Sequence, residues 1–301
     1  MADRLIRATA ADGGIRAVGV ISTRLTEEAR RRHKLSNVAT AALGRAMTSG
    51  LLIASGMKKE GSRVNIRVRG DGPLGGVLVD AGLDGTVRGY VDYPDVELPP
   101  KANGKLDVGR AIGYNGLVTV LRDEGFGEPF QSTVQIVSGE IGEDVAYYLN
   151  ASEQTPSALL VGVFVGTREG VTASGGILLQ VMSKQAARDE VLVARLESRV
   201  SKLGAFTTLL KEGKTLEEIF QELLGDMGLE IMPAVQMVRF DCGCSHDRVL
   251  GALKLLGVDE LLDMIEKDKQ AEATCHFCGE VYNATEDQLI ELVESLRAES
   301  C

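Results

Sequence analysis

The chain has 301 residues, 44% apolar and 25% charged, and its 33 Lys/Arg against 43 Asp/Glu leave a net charge of −10. That composition suits an ordinary soluble protein of about two domains and disfavours generic binding to nucleic acid or to an anionic membrane. Met1-Ala2-Asp3-Arg4-Leu5 lacks the apolar run of a signal peptide, so a cytoplasmic, reducing setting is expected, where paired cysteines serve metal or redox chemistry more often than a disulfide framework.

Residues 1–183 read as an N-terminal domain of mixed α/β character, within an α+β protein. An extended stretch covers Ile15 to Ser22, and Thr26-Glu27-Glu28 opens a polar helix through His33. A helix from about Asn37 to Ala54 follows, whose Ala39, Ala42, Ala46 and Gly50 allow close neighbours. Its apolar core, Val38 to Ala54, is too short and too polar for a membrane span and is expected to be buried. Ser62 to Arg69 alternates Val64, Ile66 and Val68 with Arg63, Asn65, Arg67 and Arg69, the period of a half-buried strand. Further strands are expected at Gly76–Ala81, Thr86–Val91, Leu117–Arg122, Phe130–Val137, Ala158–Gly166 and Val171–Met182, with a helix at about Ile141–Asn150. Gly and Asp-Gly turns between them favour antiparallel or mixed sheets.

Within this region Gly70-Asp71-Gly72-Pro73-Leu74-Gly75 matches G-x-G-x-x-G, with Asp92 about where a ribose-binding acid belongs. Dinucleotide binding needs that motif to open a helix. Here Val77-Leu78-Val79 continues into a strand, so the segment reads as a turn.

Residues 184–234 read as a helical linker. Val193, Leu196, Val200 and Leu203 form a narrow apolar stripe. Thr215 and Glu218 make a capping box ahead of Leu216, Ile219, Phe220, Leu223 and Leu224, with Gly225 as the stop. This surface is too small to fold alone and needs either the N-terminal sheet or the tail as partner.

Residues 235–301 read as a small C-terminal domain: an alternating strand Val235–Phe240, a helix capped by Ser245, another near Leu261–Lys267, and a last helix opened by a Thr285/Gln288 capping box. It carries Cys242-Gly243-Cys244 and, thirty residues on, Cys275-His276-Phe277-Cys278. CxC-x30-CxxC offers four thiolates to one tetrahedral zinc ion, with Cys242, Cys244, Cys275 and Cys278 as ligands. His246 and His276 lie beside the pairs as substitute ligands, whereas His33 sits in a basic, solvated run.

A segment this small is near the lower limit for independent folding. Structural zinc contributes roughly 10–16 kcal/mol against a typical domain stability of about 5–15 kcal/mol, so removing the metal should unfold it. The thiolate is also the species that reacts with oxidants, and each cysteine has a partner separated from it by only one or two residues to trap a sulfenic acid as a disulfide. A thiol–disulfide oxidoreductase is the enzyme alternative, but Gly279-Glu280-Val281-Tyr282 reads as turn and strand rather than a pKa-lowering helix start. A nucleic-acid-binding zinc ribbon is disfavoured by 14 Asp/Glu against 5 Lys/Arg from residue 241 onward, net −9.

With Arg69-Gly70-Asp71-Gly72-Pro73-Leu74 and Ala173-Ser174-Gly175-Gly176-Ile177-Leu178-Leu179-Gln180, the cysteine pattern resembles the heat-shock protein 33 family of redox-regulated holdase chaperones. The resemblance spans essentially the whole chain. It implies an inactive reduced form with one Zn2+ per chain, and an oxidised form with disulfides Cys242–Cys244 and Cys275–Cys278. It further implies zinc release, unfolding of zinc domain and linker, ATP-independent binding of unfolded clients, and a monomer that dimerises on oxidation. On this reading the protein is not an enzyme and has no nucleic-acid or membrane partner. Cys301 lies outside the motif and receives no role.

Overall fold

The computed structural model describes residues 2–299, apart from the Lys184 side chain; Cys301 lies outside the described residues. The chain divides after Asp241 into two compact units. In order, the first holds β1 (Arg4–Ala10), β2 (Ile15–Ile21), α1 (Thr23–His33), α2 (Asn37–Ala54), β3 (Arg63–Arg69), β4 (Gly76–Gly82), β5 (Thr86–Val91), α3 (Val108–Ile112), β6 (Leu117–Asp123), β7 (Phe130–Gln135), α4 (Gly142–Ala151), β8 (Ser157–Gly166) and β9 (Gly170–Val181). It continues with α5 (Lys184–Arg188), α6 (Glu190–Lys202), α7 (Phe206–Lys211), α8 (Leu216–Leu224), β10 (Glu230–Ile231), β11 (Gln236–Met237) and β12 (Arg239–Phe240). The second holds α9 (His246–Lys254), α10 (Val258–Lys267), β13 (Gln270–Thr274), β14 (Val281–Thr285) and α11 (Glu286–Glu299).

Two sheets enclose the centre of the first unit. One runs β10-β1-β2-β9-β8, with β11 also on β1; the other runs β12-β5-β4-β3-β6-β7. Pairing is antiparallel except for β12 on β5, which is parallel, so both sheets follow the short-turn connections expected. Helix α2 packs against strands of both sheets. All its residues except Asn37 and Arg45 are buried, which its small side chains permit: a Cβ at Gly50 would stand 3.1 Å from the Ala81 Cβ. No described helix is long and apolar enough to cross a membrane. On β3, Val64, Ile66 and Val68 face this core, while the outward Arg63 shares Asp80 with Arg88 at 3.0 Å each.

The G-x-G-x-x-G segment is a turn from β3 to β4. The Gly72 N–H donates to the Ile112 carbonyl, and Asp92 accepts from the Gly76 N–H at 2.8 Å rather than standing open for a ribose. A buried network the sequence does not announce joins Ser22, Thr26, Thr48 and Ser174 through hydroxyl contacts of 2.9–3.0 Å, tying α1 and α2 to β9.

The linker helices pack on the far face of the first sheet. Period-2 alternation turns Leu5, Val18, Val20 and Leu178 toward α2. It turns Ile6, Ala8, Ile15, Ala17, Ile177 and Leu179 toward Leu196, Leu203, Phe206, Leu216, Phe220 and Leu223. The Thr215/Glu218 box opens α8 as expected, with the Glu218 N–H donating to Thr215 Oγ1 and the Thr215 N–H to the Glu218 carboxylate. Close approach of α8 requires glycine at position 19, where a Cβ would stand 3.1 Å from Leu216 Cδ2 and Phe220 Cζ. An Arg4–Glu217 ion pair of 2.8 Å closes the edge.

The tail differs from the expected Val235–Phe240 strand opening a domain at residue 235. Backbone pairing splits that stretch. Leu5 and Arg4 of β1 take Gln236 and Met237, while Thr86 and Val87 of β5 take Arg239 and Phe240. Unfilled edges of both sheets thus draw residues 236–240 into the first unit, and the compact division falls at 241/242.

Phe220→Ala is expected to weaken the cover of the first sheet by about 3–5 kcal/mol, read as a lower urea midpoint and as apolar-dye binding by the reduced chain. Gly19→Val should act in the same direction by pushing α8 outward.

Candidate metal centre

The second unit has a core of six buried side chains: Leu253, Leu261, Ala271, Ala284, Leu289 and Val293. Around it the sequence builds two turns that present sulfur. In the first, Ser245 caps α9 by accepting from the Arg248 N–H at 3.3 Å, and the Arg248 guanidinium donates to the Gly243 carbonyl at 2.5 Å, folding back over the CxC. In the second, β13 and β14 pair antiparallel, Thr274 opposite Val281, and the chain reverses between them. The N–H groups of Cys278 and Gly279 both donate to the Cys275 carbonyl at 3.3 and 2.8 Å, and the Cys275 N–H donates to the Glu280 carbonyl at 2.9 Å. Gly279, at φ +71°, supplies the left-handed step that closes this knuckle.

The turns bring all four sulfurs together. Their Sγ atoms lie within 4.8 Å of one another, with Cys242–Cys275 at 3.7 Å and Cys244–Cys278 at 3.3 Å; Cys278 is buried. A tetrahedral ion with metal–sulfur bonds of about 2.3 Å requires sulfur–sulfur edges of about 3.8 Å, so the set fits such an ion with small adjustment. Burial pushes the Cys275 and Cys278 thiols up. Four crowded thiols in this setting ionise together only with a cation among them, and the donor set is the one a soft divalent ion prefers.

Neither histidine belongs to the four-sulfur group. His246 Nε2 instead donates to the Asn283 carbonyl at 3.1 Å, pinning the start of α9 to β14. Two side chains beside the sulfurs went unassigned from the sequence. Arg248 is one; the other is Tyr282, whose hydroxyl lies 3.1 Å from Cys244 Sγ and is pushed up by that bond, keeping it protonated. The signal for Tyr282 was its place four residues after Cys278 on an alternating strand, which aims it to the same face as the buried Ala284.

The family model described as Hsp33 protein matches residues 3–285. The chain belongs to the Hsp33 family. It is 77% identical to the 33 kDa chaperonin of Microcystis aeruginosa over the full length of both chains. To that of Synechocystis sp. it is 70% identical, over 99% of this chain and 98% of the relative. The crystal structure of the 33 kDa chaperonin (heat shock protein 33 homolog) of Thermotoga maritima is 33% identical, covers 99% of this chain and all of its own, and superposes with a TM-score of 0.91. The α+β architecture and the family resemblance expected from the sequence therefore both hold.

Metal removal is expected to act first on the second unit. Hydrogen exchange of the metal-loaded chain soon after chelation should show protection lost in α9–α11 and β13–β14 before any loss in β1–β9. Acid should do the same, because protons compete for the thiolates and the ion is lost as pH falls.

Proposed function

We propose that this chain is a redox-regulated, ATP-independent holdase chaperone, held inactive when reduced by one Zn2+ bound through Cys242, Cys244, Cys275 and Cys278. The observation that carries the reading is the convergence of these four sulfurs in a unit with so small a core. Membership of a family whose relatives are called chaperonins supports it. Zinc would supply the charge that lets the four thiolates coexist, and with it much of the unit's stability.

Oxidation by peroxide takes two electrons from each cysteine pair. A thiolate sulfur attacks one peroxide oxygen; the S–O bond forms as the O–O bond breaks, and the departing hydroxide leaves as water after taking a proton. The neighbouring thiolate then displaces the second hydroxide, which also leaves as water, and the disulfide forms. The pairings we assign are Cys242–Cys244 and Cys275–Cys278. Two disulfides leave no thiolate for the ion, and the unit loses its support.

The linker, residues 184–234, follows in this scheme. Three strands of only two residues each, β10 to β12, are the last pairings before Cys242. Their loosening would free the chain behind α8, uncovering Leu196, Phe206, Ile219 and Phe220 together with the sheet face beneath. Unfolded or partly unfolded proteins are the partners such a surface fits, and a second copy of the oxidised chain is another, giving a dimer from a reduced monomer. We place this action in the cytoplasm and assign the chain no catalytic turnover. The thiol–disulfide oxidoreductase alternative is disfavoured because Cys275 follows a strand and opens a turn, not a helix.

Peroxide with mild heating is expected to release one zinc and consume four thiols per chain, and then to suppress aggregation of an unfolding client. Full suppression by the reduced, zinc-loaded chain would sink the switch. Polar replacements among Val193, Leu196, Val200, Ile219 and Phe220 should shift either the oxidant requirement or client capture; no change in either state would refute the linker's part.

A further inference from the structure

Backbone N–H groups of Phe277 and Cys278 face Cys275 Sγ, and that of Glu280 faces Cys278 Sγ, so the CxxC knuckle brings its own donors. On the CxC side the Tyr282 hydroxyl stands 3.1 Å from Cys244 Sγ. We infer that Tyr282 sets how readily the cysteine centre is oxidised, by donating its hydroxyl hydrogen bond to the Cys244 thiolate. This rests on the zinc-thiolate reading above and deepens it.

The placement is built rather than incidental. Tyr282 lies opposite Ala273 across the β13–β14 ladder and shares a face with Ala284, which is 1% exposed. The His246 ring lies 6.5 Å from the tyrosine ring, held there by its bond to the next residue's carbonyl. The hydroxyl is therefore carried to the sulfur by a strand whose register is fixed on both sides. Four thiolates around one divalent ion carry an excess of two negative charges, within a segment already at net −9 from residue 241 onward. A hydrogen bond to sulfur draws off electron density. It offsets part of that excess and makes the sulfur a poorer nucleophile toward peroxide. Tyr282 is thus a positioning residue: it touches a ligand sulfur and acts through it.

Tyr282→Phe keeps the ring and removes the donor. Three results are expected: zinc affinity of the reduced chain weaker by roughly tenfold, the low end for outer-shell partners; severalfold faster peroxide-driven zinc release; and a cobalt-substituted protein whose thiolate-to-cobalt charge-transfer band moves to lower energy. The band shift is what a packing role would not produce. Where the variant fails to fold, uniform replacement of tyrosine by 3-fluorotyrosine, a stronger donor, tests the folded protein and should slow release. Unchanged release rate and band in Tyr282→Phe, or faster release in the fluorinated chain, would overturn the inference while leaving the switch intact. Wild-type protein that keeps its zinc under peroxide would overturn both.

Discussion

Four sulfurs within 4.8 Å of one another repel as thiolates, and burial of Cys275 and Cys278 makes ionisation harder still. This repulsion is the constraint around which the second unit is built. The turns that hold the sulfurs are made of backbone hydrogen bonds, a left-handed glycine and an arginine fold-back, none of which removes the charge conflict. A divalent ion does. With such an ion bound, ion and fold would depend on each other, because the apolar core consists of six side chains from three helices and a two-stranded sheet. Such a unit is marginal by size alone, and such an ion would set its stability where its chemistry is most reactive.

The first unit is organised on the opposite principle. Helix α2 fills the space between two sheets with small side chains and leaves neither apolar face of the first sheet open, because the linker helices take the other one. The linker thus behaves structurally as part of the N-terminal unit. Its cover rests on side-chain burial, with each large apolar residue contributing roughly 1.5–3 kcal/mol, and on one close approach at Gly19. The same face that the linker protects is therefore the largest apolar surface its departure would reveal.

Much of this was legible in the sequence because the signals were local and periodic. Asn37–Ala54 has the limits of α2, Val64, Ile66 and Val68 face inward, and the Thr215/Glu218 box opens α8. The cysteine spacing pointed to convergence because CxC and CxxC each turn the chain within a few residues, and the sulfurs do converge. What escaped was non-local. β1 was missed beside its partner β2, and α3 is a single short turn packed beneath α2. Val235–Phe240 alternates like one strand, but only the vacant edges of two different sheets decide that it becomes two. Leu216 and Phe220 were visible as an apolar stripe, whereas the choice of the N-terminal sheet as partner depended on the glycine at position 19, two hundred residues earlier. Tyr282 and Arg248 escaped assignment as site residues, since their roles arise from the register of a hairpin and from a helix cap, and the place of Tyr282 on the strand after Cys278 gave only its face.

The two units also differ in how their stability can be withdrawn. In the first it is spread over two six-stranded sheets and dozens of buried side chains, so no single chemical event removes it. In the second, with an ion bound, much of it would rest on four sulfur atoms, three of which belong to residues that are only partly buried. Oxidation of those sulfurs would remove the support, and cooperative loss would then follow from the smallness of the core, not from a separate trigger. The short pairings of residues 230–240 form the intermediate rung: two residues per strand, held on sheet edges, they are the least costly part of the first unit to release. Loss of the second unit would therefore be felt first at these pairings and only then by the helices behind them.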